Sequence, residues 1–163
     1  MLIQNAKDNN VIITDYTLNY IFIYASKIYS NVSEKKVKLI IDYAKEINTI
    51  LIVDHPLSKL SPFANAVHRN NFNVVQLLMD YNKENKIILN INKINHYTNN
   101  PLFQNKNILM SKLLMEYAIE NRIVLDINLK NYHKRCSLSS LFKNDNIEMV
   151  HFLMQYAKKI ILY

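Results

Sequence analysis

An all-α fold of stacked helix-turn-helix units is what this 163-residue chain predicts, and three observations carry the prediction. Half of the residues are hydrophobic (50%) and a fifth charged (20%), enough apolar side chain to bury a core. A tyrosine-centred segment recurs four times: Asp42-Tyr43-Ala44-Lys45-Glu46, Asp80-Tyr81-Asn82-Lys83-Glu84, Glu116-Tyr117-Ala118-Ile119-Glu120 and Gln155-Tyr156-Ala157-Lys158-Lys159. Its tyrosines stand 38, 36 and 39 residues apart, the spacing of a repeat array. Polar residues inside each copy fall three and four apart, the period of a helix with one wet side.

The long helix of each unit is expected to open ten residues before its tyrosine, at Ser33, Asn71, Asn107 or Asn146, all able to cap free amides of a first turn. Its solvent stripe reads Lys35, Lys38, Asp42 and Lys45 in the first copy and Asn73, Gln76, Asp80 and Lys83 in the second. In the fourth it reads Glu148, His151, Gln155 and Lys158, whereas Leu109 and Ile119 interrupt it in the third. The remaining positions, such as Phe72, Val74, Val75, Leu77, Leu78, Met79 and Tyr81, are apolar, so the helix must be covered on two or three sides by neighbouring units.

Nine or ten residues past the tyrosine lies an extended segment, Leu51-Ile52-Val53, Asn90-Ile91-Asn92 or Asp126-Ile127-Asn128, aligned on its central isoleucine. Ten residues further, Pro62, Pro101 or Ser137 opens a short helix, a place where proline loses no hydrogen bond. In the second unit this helix covers 62–69 with Phe63, Ala66 and Val67 inward, and Asn70 and Asn71 make the turn. In the fourth it covers 137–144 with Leu138, Leu141 and Phe142 inward; in the third, where Pro101 and Asn107 are close, it is trimmed. In the first unit a helix without a turn proline is expected over 24–31. The chain contains no glycine, so asparagine is expected to take the left-handed turn positions.

One domain over 1–163 follows, divided into a partial unit at 1–15 and four units at 16–53, 54–92, 93–128 and 129–163. Residues 1–15 line up with 113–127, so the chain begins inside a long helix of an earlier unit. Neither end is polar, as the outer units of such arrays are. The expectation is a piece of a longer array, or ends covered by another molecule through end-to-end association.

Arranged in this frame, Ser61-Pro62-Phe63-Ala64-Asn65-Ala66-Val67-His68-Arg69-Asn70-Asn71-Phe72-Asn73-Val74-Val75-Gln76-Leu77-Leu78-Met79-Asp80 resembles the ankyrin repeat at Pro62, Ala66, Asn71, Val74, Val75, Leu77 and Leu78. Asp145-Asn146-Ile147-Glu148-Met149-Val150-His151-Phe152-Leu153-Met154 matches it again. Ala64 stands where that family has histidine and Asn70 and Asp145 where it has glycine, and the period of 36 to 39 exceeds its 33. The resemblance implies an α-solenoid of ankyrin-like repeats whose protruding finger loops and short helices line a concave face that binds other proteins.

Composition and motifs narrow the function. Lys+Arg 20 against Asp+Glu 13 gives a net charge of +7, concentrated in residues 82–163, which hold 12 basic and 6 acidic side chains against 8 and 7 in residues 1–81. Ile, Asn, Lys and Tyr make up 74 of the 163 residues, a bias that A/T-rich codons produce, and only three basic residues are Arg, the better phosphate reader. Nucleic acid is therefore the secondary expectation. A catalytic role is not expected: there is no glycine-rich phosphate loop, and His55, His68, His96, His133 and His151 stand singly, without metal-ligand spacing. No metal or cofactor is expected. Cys136 lacks an evident base partner and reads as a structural thiol; a lone cysteine suits a reducing intracellular compartment, cytoplasm or nucleus. No apolar run approaches the length of a membrane span.

Recognition is expected on the fingers, where aromatic and cationic side chains offer contact area and hydrogen bonds at low entropic cost. The candidate partner-binding residues are His96, Tyr97, Tyr132, His133, Lys134 and Arg135, with His68, Arg69 and Lys143 from the short helices beside them. Their charge suits an acidic protein or peptide. The alternatives are a rigid spacer within a larger repeat protein and an electrostatic nucleic-acid binder.

Overall fold

The computed structural model describes residues 2–9, 11, 13–27, 31–54, 61–93, 108–126 and 147–161. All regular structure among the described residues is helical, and the described part of the protein is all-α. The helices are α1 (Leu2–Asp8), α2 (Asp15–Lys27), α3 (Asn31–Glu46), α4 (Pro62–His68), α5 (Phe72–Glu84), a 3-10 turn (Ile91–Lys93), α6 (Ile108–Glu120) and α7 (Ile147–Ile161). The chain divides into two compact units, Met1–Leu89 and Asn90–Tyr163. In the first, α2 packs on α3 and α4, α4 on α5, and α3 on α5; in the second, α6 packs on α7.

Each long helix (α3, α5, α6, α7) buries the tyrosine on which the units were aligned, Tyr43, Tyr81, Tyr117 and Tyr156. Three residues before it, Ile40, Leu78, Leu114 and Leu153 are buried as well. The hydroxyls of Tyr81 and Tyr156 reach the extended segment that follows the preceding long helix. Leu51 N–H donates to Tyr81 Oη at 3.0 Å, and Leu125 N–H donates to Tyr156 Oη at 2.9 Å. Tyr156 Oη in turn donates to the Ile123 carbonyl at 2.9 Å. Side chains complete the tie: Ile52 N–H donates to Asn19 Oδ1 (2.7 Å) in the first unit, and Asp126 N–H to Asn92 Oδ1 (2.9 Å) in the second. The extended segments thus find hydrogen-bond partners without a strand ladder.

The expected solvent stripes stay at the surface. Lys35, Lys38, Asp42 and Lys45 are exposed, as are Glu148, His151, Gln155 and Lys158; Asn73, Asp80 and Lys83 are exposed beside a half-buried Gln76. Leu109 is exposed in the third stripe, and Ile119 is half-buried. Neighbouring stripes are stitched by polar pairs: Asn73 Nδ2 donates to Glu34 Oε2 at 2.8 Å, Lys112 pairs with Glu148 at 2.9 Å, and Lys45 pairs with Glu84. These exposed pairs set register more than stability.

Four expectations are corrected. Ser33 does not cap α3, which starts at Asn31; it is buried inside the first turn and its hydroxyl accepts from Asn71 Nδ2 at 2.8 Å. Asn71 does cap α5, accepting from Val74 N–H, so one cap anchors the first turn of the preceding unit's long helix as well. The helix expected over 24–31 runs instead over Asp15–Lys27, opened by Thr14 Oγ1 accepting from Thr17 N–H. Ile52 does not match Ile91: Leu51 and Val53 are buried and Ile52 is exposed, because extended backbone alternates its side chains and Val53 holds the place of Ile91. Phe72, the first residue of α5, is exposed at the border of the wet stripe, outside the covered faces.

Among the described residues the left-handed positions are Asn48, Asn70, Lys86 and Arg122, with φ of 54°, 55°, 58° and 55°. Asparagine fills only two of the four. Three of them stand five residues past a tyrosine and close the long helices in one way, a pair of reversed bonds over the last turn. Thr49 N–H reaches the Ala44 carbonyl (2.9 Å), Ile87 N–H that of Asn82 (2.8 Å), and Ile123 N–H that of Ala118 (2.8 Å). Val11 N–H reaches the Ala6 carbonyl at 2.8 Å, which ends α1 in the register expected from lining up 1–15 with 113–127.

The short helix of the second unit forms as expected. Ser61 Oγ accepts from Ala64 N–H, Pro62 leads, and Phe63, Ala66 and Val67 are buried. The helices expected over 101–107 and 137–144, the caps Asn107 and Asn146, and Cys136 lie outside the described residues.

One buried residue is a poor fit. Asn82 Oδ1 lies in the core with no hydrogen-bond partner, at a position where α3, α6 and α7 carry Ala44, Ala118 and Ala157. Asn82→Ala removes an unsatisfied acceptor and adds the best helix former, so it is expected to raise stability by about 1 kcal/mol. Thermal melting of the variant checks this, and a lowered midpoint would mean that the amide has a role in packing.

Candidate interaction surface

Of the nine residues singled out for partner binding, two fall in the described structure. His68 ends α4 and Arg69 follows it as the C-cap; both are exposed, and Arg69 N–H closes the helix on the Asn65 carbonyl at 3.0 Å. His96, Tyr97, Tyr132, His133, Lys134, Arg135 and Lys143 lie outside the described residues, as does His55.

The surface continues on α2. Its buried residues Phe22, Ile23, Ala25 and Ser26 repeat the pattern of Phe63, Ala64, Ala66 and Val67 in α4. Lys27 therefore takes the place of His68, and Tyr24 that of Asn65. Because α2 has 13 residues to the 7 of α4, it extends further at its N-terminal end. There it carries Tyr16 and Tyr20, on the same side as Tyr24 by their spacing of four. All three are well exposed, at 81%, 51% and 50%.

These side chains are mutually ordered. The Tyr20 and Tyr24 rings lie with centroids 4.7 Å apart at 46°, and Tyr20 Oη donates to Tyr24 Oη at 3.1 Å. Lys27 Nζ stands 4.9 Å from the centroid of the Tyr24 ring. That hydrogen bond, with the neighbouring phenols, raises the Tyr20 hydroxyl above its ordinary tyrosine pKa. The stripe offers hydroxyl groups, flat apolar faces and the Lys27 amine. Such a surface can cover extended polypeptide and hydrogen-bond its carbonyls and carboxylates.

Sequence reasoning missed this stripe because it placed the helix at 24–31, which separates Tyr24 from Tyr16 and Tyr20. The signal that would have found it is Leu18, Phe22, Ile23 and Ala25 on one side of a helix with Tyr16, Tyr20 and Tyr24 on the other. Among the described residues no group of three or more His, Cys, Asp or Glu side chains could hold a metal ion. No helix among them is long and apolar enough to cross a membrane. Comparison with family models, with curated proteins and with solved structures finds no match for this chain.

Proposed function

We propose that the protein is a non-enzymatic interaction module, an α-solenoid of divergent ankyrin-like repeats that holds an acidic polypeptide across its short helices and finger loops. The observation that carries the reading is the ordered, exposed tyrosine stripe of α2, ending in Lys27 at the register where α4 presents His68 and Arg69. Exposed tyrosines of this extent on a rigid helix have no packing role, whereas aromatic anchors flanked by cations are the usual energetic centre of a protein interface. The finger residues His96, Tyr97, Tyr132, His133, Lys134 and Arg135, with Lys143, extend the same chemistry in the sequence. The lone Cys136 suits a module working in a reducing compartment.

Affinity capture from a cell lysate, followed by titration of the captured protein, tests the reading. Tyr20→Ala combined with Tyr24→Ala is expected to weaken binding by more than about tenfold while leaving the melting temperature unchanged, as is Tyr132→Ala combined with Arg135→Ala. A fall in melting temperature would make the tyrosines structural, and unaltered binding would remove them from the interface. Nucleic-acid binding instead predicts retention on DNA that falls steeply with salt.

A further inference from the structure

Lys27 is a cation to which the first unit supplies no carboxylate. Among the described residues it forms no ion pair, and its ammonium stands over the Tyr24 ring. The short helices α2 and α4 carry one acid between them, Asp15, which lies at the opposite end of α2 and accepts from Thr49 Oγ1 at 3.0 Å. The carbonyl end of α2 offsets only about half of the Lys27 charge. Beside it, Tyr20 Oη donates to Tyr24 Oη, so the Tyr24 proton is left to donate outward, and the bond that Tyr24 accepts strengthens the one it gives. Tyr24 and Lys27, three apart on the helix, thus present a phenol donor and an ammonium side by side.

Two donors suit the two oxygens of a carboxylate, whereas a phosphate, with three acceptor oxygens and nearly two charges, asks for more. The cationic point is repeated on α4, where His68 holds the register of Lys27 and Arg69 follows it. Both are exposed, and neither forms an ion pair among the described residues. Because α2 packs on α4, equivalent positions lie about 8–10 Å apart, the usual separation of packed helices. A polyproline II segment has three residues per turn and rises about 3.1 Å for each, so its side chains three residues apart share one side at about 9 Å. A β-strand, with a period of two, puts same-side neighbours about 7 Å apart and misses that separation. Exposed tyrosine rings, flat and apolar, are also what polyproline II ligands dock against.

Resting on the function proposed above, we infer that the partner presents an acidic polyproline II segment that crosses α2 and α4. One carboxylate bridges Tyr24 Oη and Lys27 Nζ, and a second, three residues away, meets His68 and Arg69. Fluorescence anisotropy of the whole chain with labelled, C-terminally amidated, proline-containing peptides that carry paired aspartates is the test. The pair separated by two residues is expected to bind at least about threefold more tightly than an adjacent pair or one separated by a single residue. Tyr24→Phe, which keeps the ring, and Lys27→Met should each weaken it by about five- to tenfold with melting unchanged, and Arg69→Gln should abolish the spacing preference. Equal binding at every spacing overturns the inference, as does no binding up to about millimolar peptide. Tighter binding of an alanine-based helical peptide with aspartates seven apart overturns it in favour of a helical partner, and binding only of peptides with a free terminal carboxylate overturns the acid pair in favour of a chain end. Binding that is lost on Tyr20→Ala with Tyr24→Ala but indifferent to Tyr24→Phe and Lys27→Met keeps the interaction surface and removes the carboxylate anchor. A captured protein indifferent to the double alanine variant removes the tyrosine stripe from the proposed function itself.

Discussion

Tyr156→Phe is expected to lower the stability of the second unit by about 1–3 kcal/mol, although it removes one atom. The ring stays, so apolar burial is retained; the loss comes from the two backbone groups that the hydroxyl serves. Leu125 N–H, buried, donates to it, and the Ile123 carbonyl accepts from it. A buried donor left without acceptor costs far more than an average hydrogen bond contributes, since no water replaces the lost partner. Tyr81→Phe deprives Leu51 N–H in the same way and is expected to cost the first unit a similar or smaller amount, one bond being lost instead of two. Chemical denaturation followed by circular dichroism measures both. If neither variant falls measurably below wild type, the tyrosine hydroxyls do not hold the extended segments.

The same hydroxyl sets a pH dependence. Burial raises the Tyr156 phenol above its ordinary value, against the opposing effect of the Leu125 amide. The unfolded chain therefore loses this proton at lower pH than the native one. Stability from this residue is intact below about pH 10 and is lost as pH rises beyond it. Tyr156→Phe should flatten the fall of stability above about pH 10, in the same denaturation measurement repeated at several alkaline values.

Where the sequence was legible, a side chain of one type served one purpose in every unit. The tyrosines are such a case: each copy carries the same residue at the same helical position and each is buried. The wet stripes are another, because charge on a helix can only face water. Legibility failed where units differ in length. The hairpin of the first unit has a longer α3, of 16 residues against 13 in α5, so that the turn expected at Ser33 is replaced by helix and α2 is displaced toward the N-terminus. No residue marks that change, and the tyrosine stripe went unseen with it. Of the candidate site, His68 and Arg69 stand exposed, while the finger residues lie outside the described residues.

Lys86→Gly and Arg122→Gly together are expected to stabilise the protein by about 2 kcal/mol, about 1 from each. Both residues hold φ near +58° and +55°, where a Cβ crowds the backbone and only glycine is at ease. Helices ordinarily end on glycine here, and the bonds from Ile87 N–H to the Asn82 carbonyl and from Ile123 N–H to the Ala118 carbonyl require this geometry whatever the residue. The strain is thus imposed by the repeat. A composition rich in Ile, Asn, Lys and Tyr leaves no glycine to relieve it. Glycine also loosens the unfolded chain, which offsets part of the relief and sets the net figure near 1 kcal/mol per site. The two sites lie in different compact units, so their effects should add. Asn48→Gly and Asn70→Gly should give less, since asparagine tolerates this region better than lysine or arginine. The control is Lys38→Gly in the middle of α3, where φ is helical and glycine should instead cost about 1 kcal/mol. Melting curves of the five variants give the comparison. If Lys86→Gly and Arg122→Gly fall with Lys38→Gly below wild type, the left-handed turns are not where the glycine-free sequence stores its strain.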